Sequence, residues 1–202
     1  MTIRKGAEWG SVGPAPVGAL EARSDAELRL IVETCRRDGR DIPPVALLGG
    51  DLMRSVGGTG ALRDEMVTAP VDVVRVEAAG ETAWFVSHLV ARRWWWRGEV
   101  VAAMNAQFRG GWDVAPKSHP NDGRVDLVRT GRAMSVRNRL AARSRLTQGT
   151  HVPHPDIETR SVRSAVLTFS RPLHLCLDGT LWHKAVREAL VTVEPDALSI
   201  VF

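Results

Sequence analysis

The stretch from Gly98 to Leu127, GEVVAAMNAQFRGGWDVAPKSHPNDGRVDL, restricts this chain more than any other part of it. An apolar run leads to a glycine corner at Gly110-Gly111, then a short extended piece, a loop bounded by Pro116 and Pro120, and an Asp122-Gly123 turn into another apolar run. Asn105, Asp113, Asp122 and Asp126 sit near its corners, where short polar side chains bond the main chain or accept positive φ. A segment punctuated this way reads as strands joined by tight turns, and a long helix cannot pass through it.

The same texture runs on from Pro70. Val71, Val73, Val74 and Val76 precede an Ala79-Gly80 turn into a strand over Thr82–Val90. Further strands are expected at Glu99–Gln107, Val125–Arg129, Ser161–Phe169, Leu173–Leu177, Val186–Val193 and Leu198–Phe202, interrupted by one helix over Met134–Leu146. Short strands with turn signals between them favour a sandwich or barrel.

The first part reads differently. A strand is possible at Val17–Glu21. Ser24 and Glu27 form a capping box, Leu28, Ile31, Val32 and Cys35 follow at helical spacing, and Gly39 ends the helix. A buried strand at Val45–Leu48 leads into Gly49-Gly50-Asp51 and a short helix closing at Gly57-Gly58. The predicted class is α+β, with a small α/β segment over residues 1–75 and a β-domain over residues 76–202 whose last strand returns to the first segment.

A chain of 202 residues can bury a sizeable core, and no apolar run approaches the roughly 18 residues of a membrane span. MTIRKGAEWGSVG lacks the apolar core of a signal peptide, which predicts a cytoplasmic location, with peripheral attachment to the inner membrane face left open. Cys35 and Cys176 lie far apart without metal-ligand spacing and read as reduced core thiols. The net charge is +4, and its cations are almost all arginine. From Leu127 to Pro155 there is no acid, while Arg129, Arg132, Arg137, Arg139, Arg143 and Arg145 crowd together. No stacking motif accompanies them, so nucleic acid is not an expected partner.

The order of Asn105, Gly110-Gly111, Ala115-Pro116, Asp122-Gly123, Gly149-Thr150-His151, His154-Pro155 and Asp178-Gly179 resembles the C-terminal β-domain of the diacylglycerol kinase and bacterial lipid kinase family, within the NAD kinase-like superfamily. The resemblance covers roughly residues 25–202 and implies a remnant of the α/β nucleotide domain followed by a lipid-kinase-like β-sandwich. It implies a Mg²⁺ loop, carried over as the Asp122 carboxylate with the carbonyls of His119 and Arg124. The family places a Gly-Gly-Asp-Gly-Thr phosphate loop before its first capped helix, where this chain has Leu20-Glu21-Ala22-Arg23-Ser24-Asp25. Glycine is needed there so that main-chain amides can approach phosphate, and none is present. The family's first two βα units are not apparent upstream. Gly49, Gly50 and Asp51 resemble its second nucleotide element with a Thr and an Asn lost; they read either as a phosphate loop or as a strand-to-helix turn with Asp51 as N-cap. Thr180 stands where the family has its Glu base, and a hydroxyl is no base near neutral pH. Asp178 could replace it if it points inward.

Two strings remain. His151, His154 and Asp156 could suggest zinc, but the prolines between them give the imidazoles no common helical face. Arg92-Arg93-Trp94-Trp95-Trp96-Arg97 suits a membrane-interface anchor, a subunit interface or packing over the sandwich mouth. Alternation in a strand puts at least one of the three indoles at a surface. The leading expectation is a lipid-kinase-like protein without conventional kinase activity that binds a lipid or another phosphate-containing ligand, with ATP doubtful and Mg²⁺ and a homodimer left open. The alternative is a divergent ATP-dependent lipid or NAD kinase, completed by a partner subunit.

Overall fold

A computed structural model describes residues 8–202; Met1–Ala7, on which part of the signal-peptide reading falls, lie outside the described residues. In chain order the elements are β1 (Ser11–Gly13), β2 (Leu20–Ala22), α1 (Asp25–Arg37), β3 (Val45–Leu47), α2 (Asp51–Ser55), β4 (Met66–Ala78), β5 (Glu81–Phe85), β6 (His88–Arg92) and β7 (Val100–Met104). There follow β8 (Phe108–Arg109), β9 (Trp112–Asp113), β10 (Val125–Thr130), α3 (Val136–Leu146), β11 (Ile157–Val162), β12 (Ser164–Leu177) and β13 (Thr180–Val201). The result is a mostly-sheet β-sandwich with a small parallel α/β unit at one end.

The α/β unit forms for local reasons. Ser24 accepts the Glu27 amide at 3.2 Å, and the Glu27 carboxylate accepts the Arg23 amide at 2.7 Å. That reciprocal bond falls one residue earlier than a standard capping box places it. Leu28, Val32 and Cys35 are buried on one face of α1. Its buried Arg29 pairs with Glu33 one turn on at 2.9 Å, so neither charge is left alone in the core. β3 lies between β2 and the end of β13, parallel to both, and every residue of it is buried. Its unbroken apolar run is what a parallel strand covered on two faces requires.

The main sheet runs β1-β4-β13-β12-β6-β7-β10-β11, with β5 on β4 and β3 on β13. Along β6, β7 and β10 successive side chains enter opposite cores. Leu89, Ala91, Val101, Ala103 and Leu127 join the sandwich interior around Phe85, Leu167 and Leu175. Val90, Val100, Ala102 and Val128 face Met134 and Ala142 beneath α3. β7, between the other two and buried at every position, is apolar throughout.

Several strand expectations are corrected. The run over Thr82–Val90 is two strands, β5 and β6, broken where the amides of Val86 and Ser87 turn toward Asp178. β7 stops at Met104 because the amides of Asn105 and Ala106 both bond the Ser87 carbonyl. Conversely, β12 runs through Pro172 and β13 through Pro195, each with local register shifts. Paired neighbours carry these strands, through local bulges, across residues that would end an isolated one. β4 crosses residue 75 without interruption, and its pairing with β13 shifts register between Glu194 and Leu198. There Asp196 adopts φ +53°, and its amide and that of Gly123 share the Asp72 carboxylate at 3.0 and 2.7 Å.

Candidate functional site

The β2–α1 corner, the start of α2 and the β12–β13 turn surround a polar cleft of about 300 Å³. Gly49 and Gly50 face protein here. A Cβ on Gly49 would lie 2.3 Å from the Arg23 carbonyl, and one on Gly50 2.5 Å from a carboxylate oxygen of Asp25. Gly50, at φ +102°, is the N-cap of α2, so Asp51 is its first helical residue rather than its cap. The capping oxygens come from Asp25, which accepts the amides of Asp51 at 2.7 Å and Leu52 at 3.1 Å. Asp51 in turn accepts the Gly110 amide at 2.7 Å. Burial pushes the Asp25 carboxyl up to about 6, against the pull of its two amide donors.

Asp178 points inward, as a base in this cleft would, but three amides occupy it: Val86 at 3.0 Å and Ser87 and His88 at 2.9 Å each. Its burial raises its pKa to about 7. Thr180 is exposed at the start of β13. His88 is held neutral, lowered to about 3 first by burial and then by Arg109. Among the described residues, Asp25, Asp51 and His88 bring ligand atoms within 4.8 Å of one another. That spacing suits a cation, but the donors do not suit Mg²⁺. One is a nitrogen, and both Asp25 oxygens are already engaged by amides.

The Asp122 loop is held together by its own bonds. The His119 carbonyl accepts the Asp122 amide at 3.3 Å, and Asp122 accepts the Arg124 amide at 2.9 Å. Burial, with Asp126 and Asp72 nearby, raises Asp122 to about 6. This leaves one carboxylate oxygen and the Arg124 carbonyl for an ion, so a Mg²⁺ held here would keep most of its shell as water. Asn105 is buried and structural, donating to the carbonyls of Asp72 and Val86 at 2.9 and 2.8 Å.

A second hollow, an apolar cavity of about 120 Å³, opens beneath α3. Val90, Val100, Ala102 and Val128 form its floor, and Met134, Ala142 and Leu146 its roof. Trp95 meets Trp112 edge to face at 5.7 Å and carries the Arg92 guanidinium 4.1 Å above its ring. Arg143 lies 5.2 Å from the rings of both Trp96 and Trp112. Arg109 lines this cavity and the polar cleft alike, so it stands at the junction of the two. The Trp string is thus divided: Trp95 packs at the mouth, while Trp94 is 65 % and Trp96 44 % exposed, beside exposed Arg93 and Arg97. His151 lines the cavity at 2 % exposure. His154 instead accepts the Asp156 amide at 3.0 Å, and these residues form no metal group among the described residues.

Sequence reasoning missed Asp25, His88, Arg109, Trp112 and the cavity-lining role of His151. Asp25 showed only as a first-turn acid of α1. The others carried no local pattern, because their partners lie on strands far away in the chain.

Comparison with known proteins agrees with this architecture. Three solved structures from Bacillus anthracis str. Sterne, one described as a diacylglycerol kinase and two provisionally so described, share the fold at 12 % identity each. They align with TM-scores of 0.61, 0.57 and 0.64, over 80 %, 80 % and 90 % of this chain and 70 %, 67 % and 77 % of theirs. No curated protein matches the chain. Residues 60–202 match the family described as the YegS C-terminal NAD kinase beta sandwich-like domain. That match covers most of the chain, and the solved structures share its fold: the chain belongs to the family of the YegS C-terminal NAD kinase beta sandwich-like domain.

Proposed function

We propose that this protein binds a single-chain amphiphile with an anionic head, without conventional kinase chemistry. The observation that carries the reading is the apolar cavity beneath α3, rimmed by Trp95, Trp112, Arg92, Arg109 and Arg143. An acyl chain is favoured there at about 25 cal/mol per Å² of apolar surface removed from water. The rim guanidinium groups, being planar and always charged, suit a phosphate or carboxylate head. Trp94 and Trp96 are exposed, as are Val136 and Leu140 of α3, and these side chains would rest on an anionic membrane.

The case against kinase activity is local. Phosphoryl transfer needs donors for a triphosphate and a group to take the acceptor's proton. At the start of α2 the amides are already capped by Asp25, and Asp51 adds a second carboxylate. A phosphate would meet two anions there. Where a base is needed, Asp178 is tied to three amides. The alternative, a divergent kinase completed by a partner subunit, draws on the fold shared with the diacylglycerol kinase structures.

Two titrations decide. A lysophospholipid with a free phosphate head, added below its micelle-forming concentration, should change tryptophan fluorescence saturably. Ala142→Trp, which fills the cavity, should abolish that response. Calorimetry with ATP and Mg²⁺ should show no binding heat. Micromolar ATP binding would restore the kinase reading, and an unaltered lipid response in Ala142→Trp would remove the cavity from it.

A further inference from the structure

The cavity is apolar on floor and roof, yet one of its lining side chains is an imidazole. His151 is 2 % exposed, and neither ring nitrogen makes a hydrogen bond of ordinary geometry with the protein. The Val114 carbonyl and the Asp113 carboxylate stand on its side and favour its charged form, without closing such a bond. Burial outweighs them and keeps the ring neutral. A neutral imidazole carries one N–H donor and one bare nitrogen acceptor. Leaving such a group buried and unmatched is costly, and an apolar replacement of similar size would remove that cost.

We propose that His151 is a polar anchor inside the cavity, and that the part of the ligand entering it carries a hydroxyl. A hydroxyl suits a neutral ring because it both donates and accepts. An ether or ester oxygen can only accept, and a bare alkyl chain does neither. The cavity therefore selects a hydroxyl-bearing chain over its masked counterpart, while the arginines at the rim hold the head.

This rests on the reading of the cavity as an amphiphile site, and the test separates the two claims. The isomers 1-octanol and 1-methoxyheptane have the same atoms and differ in the hydrogen-bond donor. Competition of each against a fluorescent single-chain lipid gives a preference ratio. The wild type should favour the alcohol. In His151→Leu the ratio should fall about fivefold, the equivalent of one net hydrogen bond of about 1 kcal/mol. His151→Gln, which keeps a donor and an acceptor, should retain most of it. Both probes competing with an unchanged ratio in His151→Leu would overturn the anchor and leave the cavity reading intact. Neither probe competing with the wild type, at concentrations up to solubility, would overturn both. Should His151→Leu fail to fold, the imidazole ¹⁵N resonances of the wild type serve instead. They should shift on adding 1-octanol and stay put with 1-methoxyheptane, and equal shifts would reject the proposal.

Discussion

Asp25 shows how a single side chain redirects a site. In sequence it is one acid in the first turn of a capped helix, which the helix dipole alone would favour. In space it closes the start of a second helix 26 residues on, and its burial raises its pKa from the model-peptide value of 3.8 to about 6. The folded chain therefore binds this proton more tightly than the unfolded one. The stability that follows is fully present below about pH 4 and is lost as pH rises through about 6. Asp25→Asn has no such dependence. Relative to the wild type it should gain on the order of 3 kcal/mol between pH 4 and pH 7, read from urea unfolding at each pH. A constant difference would show that Asp25 titrates normally in the fold. Asp178 makes a similar point about legibility. Its Asp-Gly pair marked a corner, with φ +45° at the Asp, but the amides it binds lie about 90 residues earlier. Nothing near residue 178 announces them.

Elements were legible where their causes are local. α1 showed through its cap and apolar spacing, and α3 through its composition. The long strands did not show at full length, since Pro172, Pro195 and Asp196 look like breaks until neighbours on both sides are known. What fixes α3 is equally non-local. Buried Arg139 donates to the carbonyls of Met134, Gly98 and Gly131, fastening the helix over the cavity from the loops on either side. The guanidinium fork makes these bonds in a fixed plane, which an ammonium cannot copy. Arg139→Lys should therefore loosen α3 by roughly 1–3 kcal/mol. Hydrogen exchange of residues 136–146 should accelerate while the amides of β4 and β13 stay protected. Uniform acceleration across the chain would mean that Arg139 supports the whole fold instead.

For the molecule as a whole, the order of turns between Gly98 and Asp178 was enough to point to the family, whereas the path of the sheet was not readable. β13 contributes Val191 to the sandwich core and Ile200 to the core around α1, so one strand serves both ends. The exposed Trp96 is also an outcome of the whole fold, since its ring meets Arg143 of α3, some forty-seven residues on, while Trp94, Val136 and Leu140 are exposed as well. Vesicles rich in phosphatidylserine should sediment the protein at low salt and release it as salt rises. Trp94→Ala with Trp96→Ala should weaken that binding. Arg93→Gln and Arg97→Gln should each cost roughly 1 kcal/mol, about fivefold in partition coefficient. Equal sedimentation with neutral vesicles would reject the electrostatic half of this picture. Asp25 matters at this scale too. Under the proposed reading, a built-in anion on the amides at the start of α2 would leave occupancy of that corner independent of the cell's adenylate pool. A chain so arranged would respond to the supply of amphiphile alone, whatever the energy state around it.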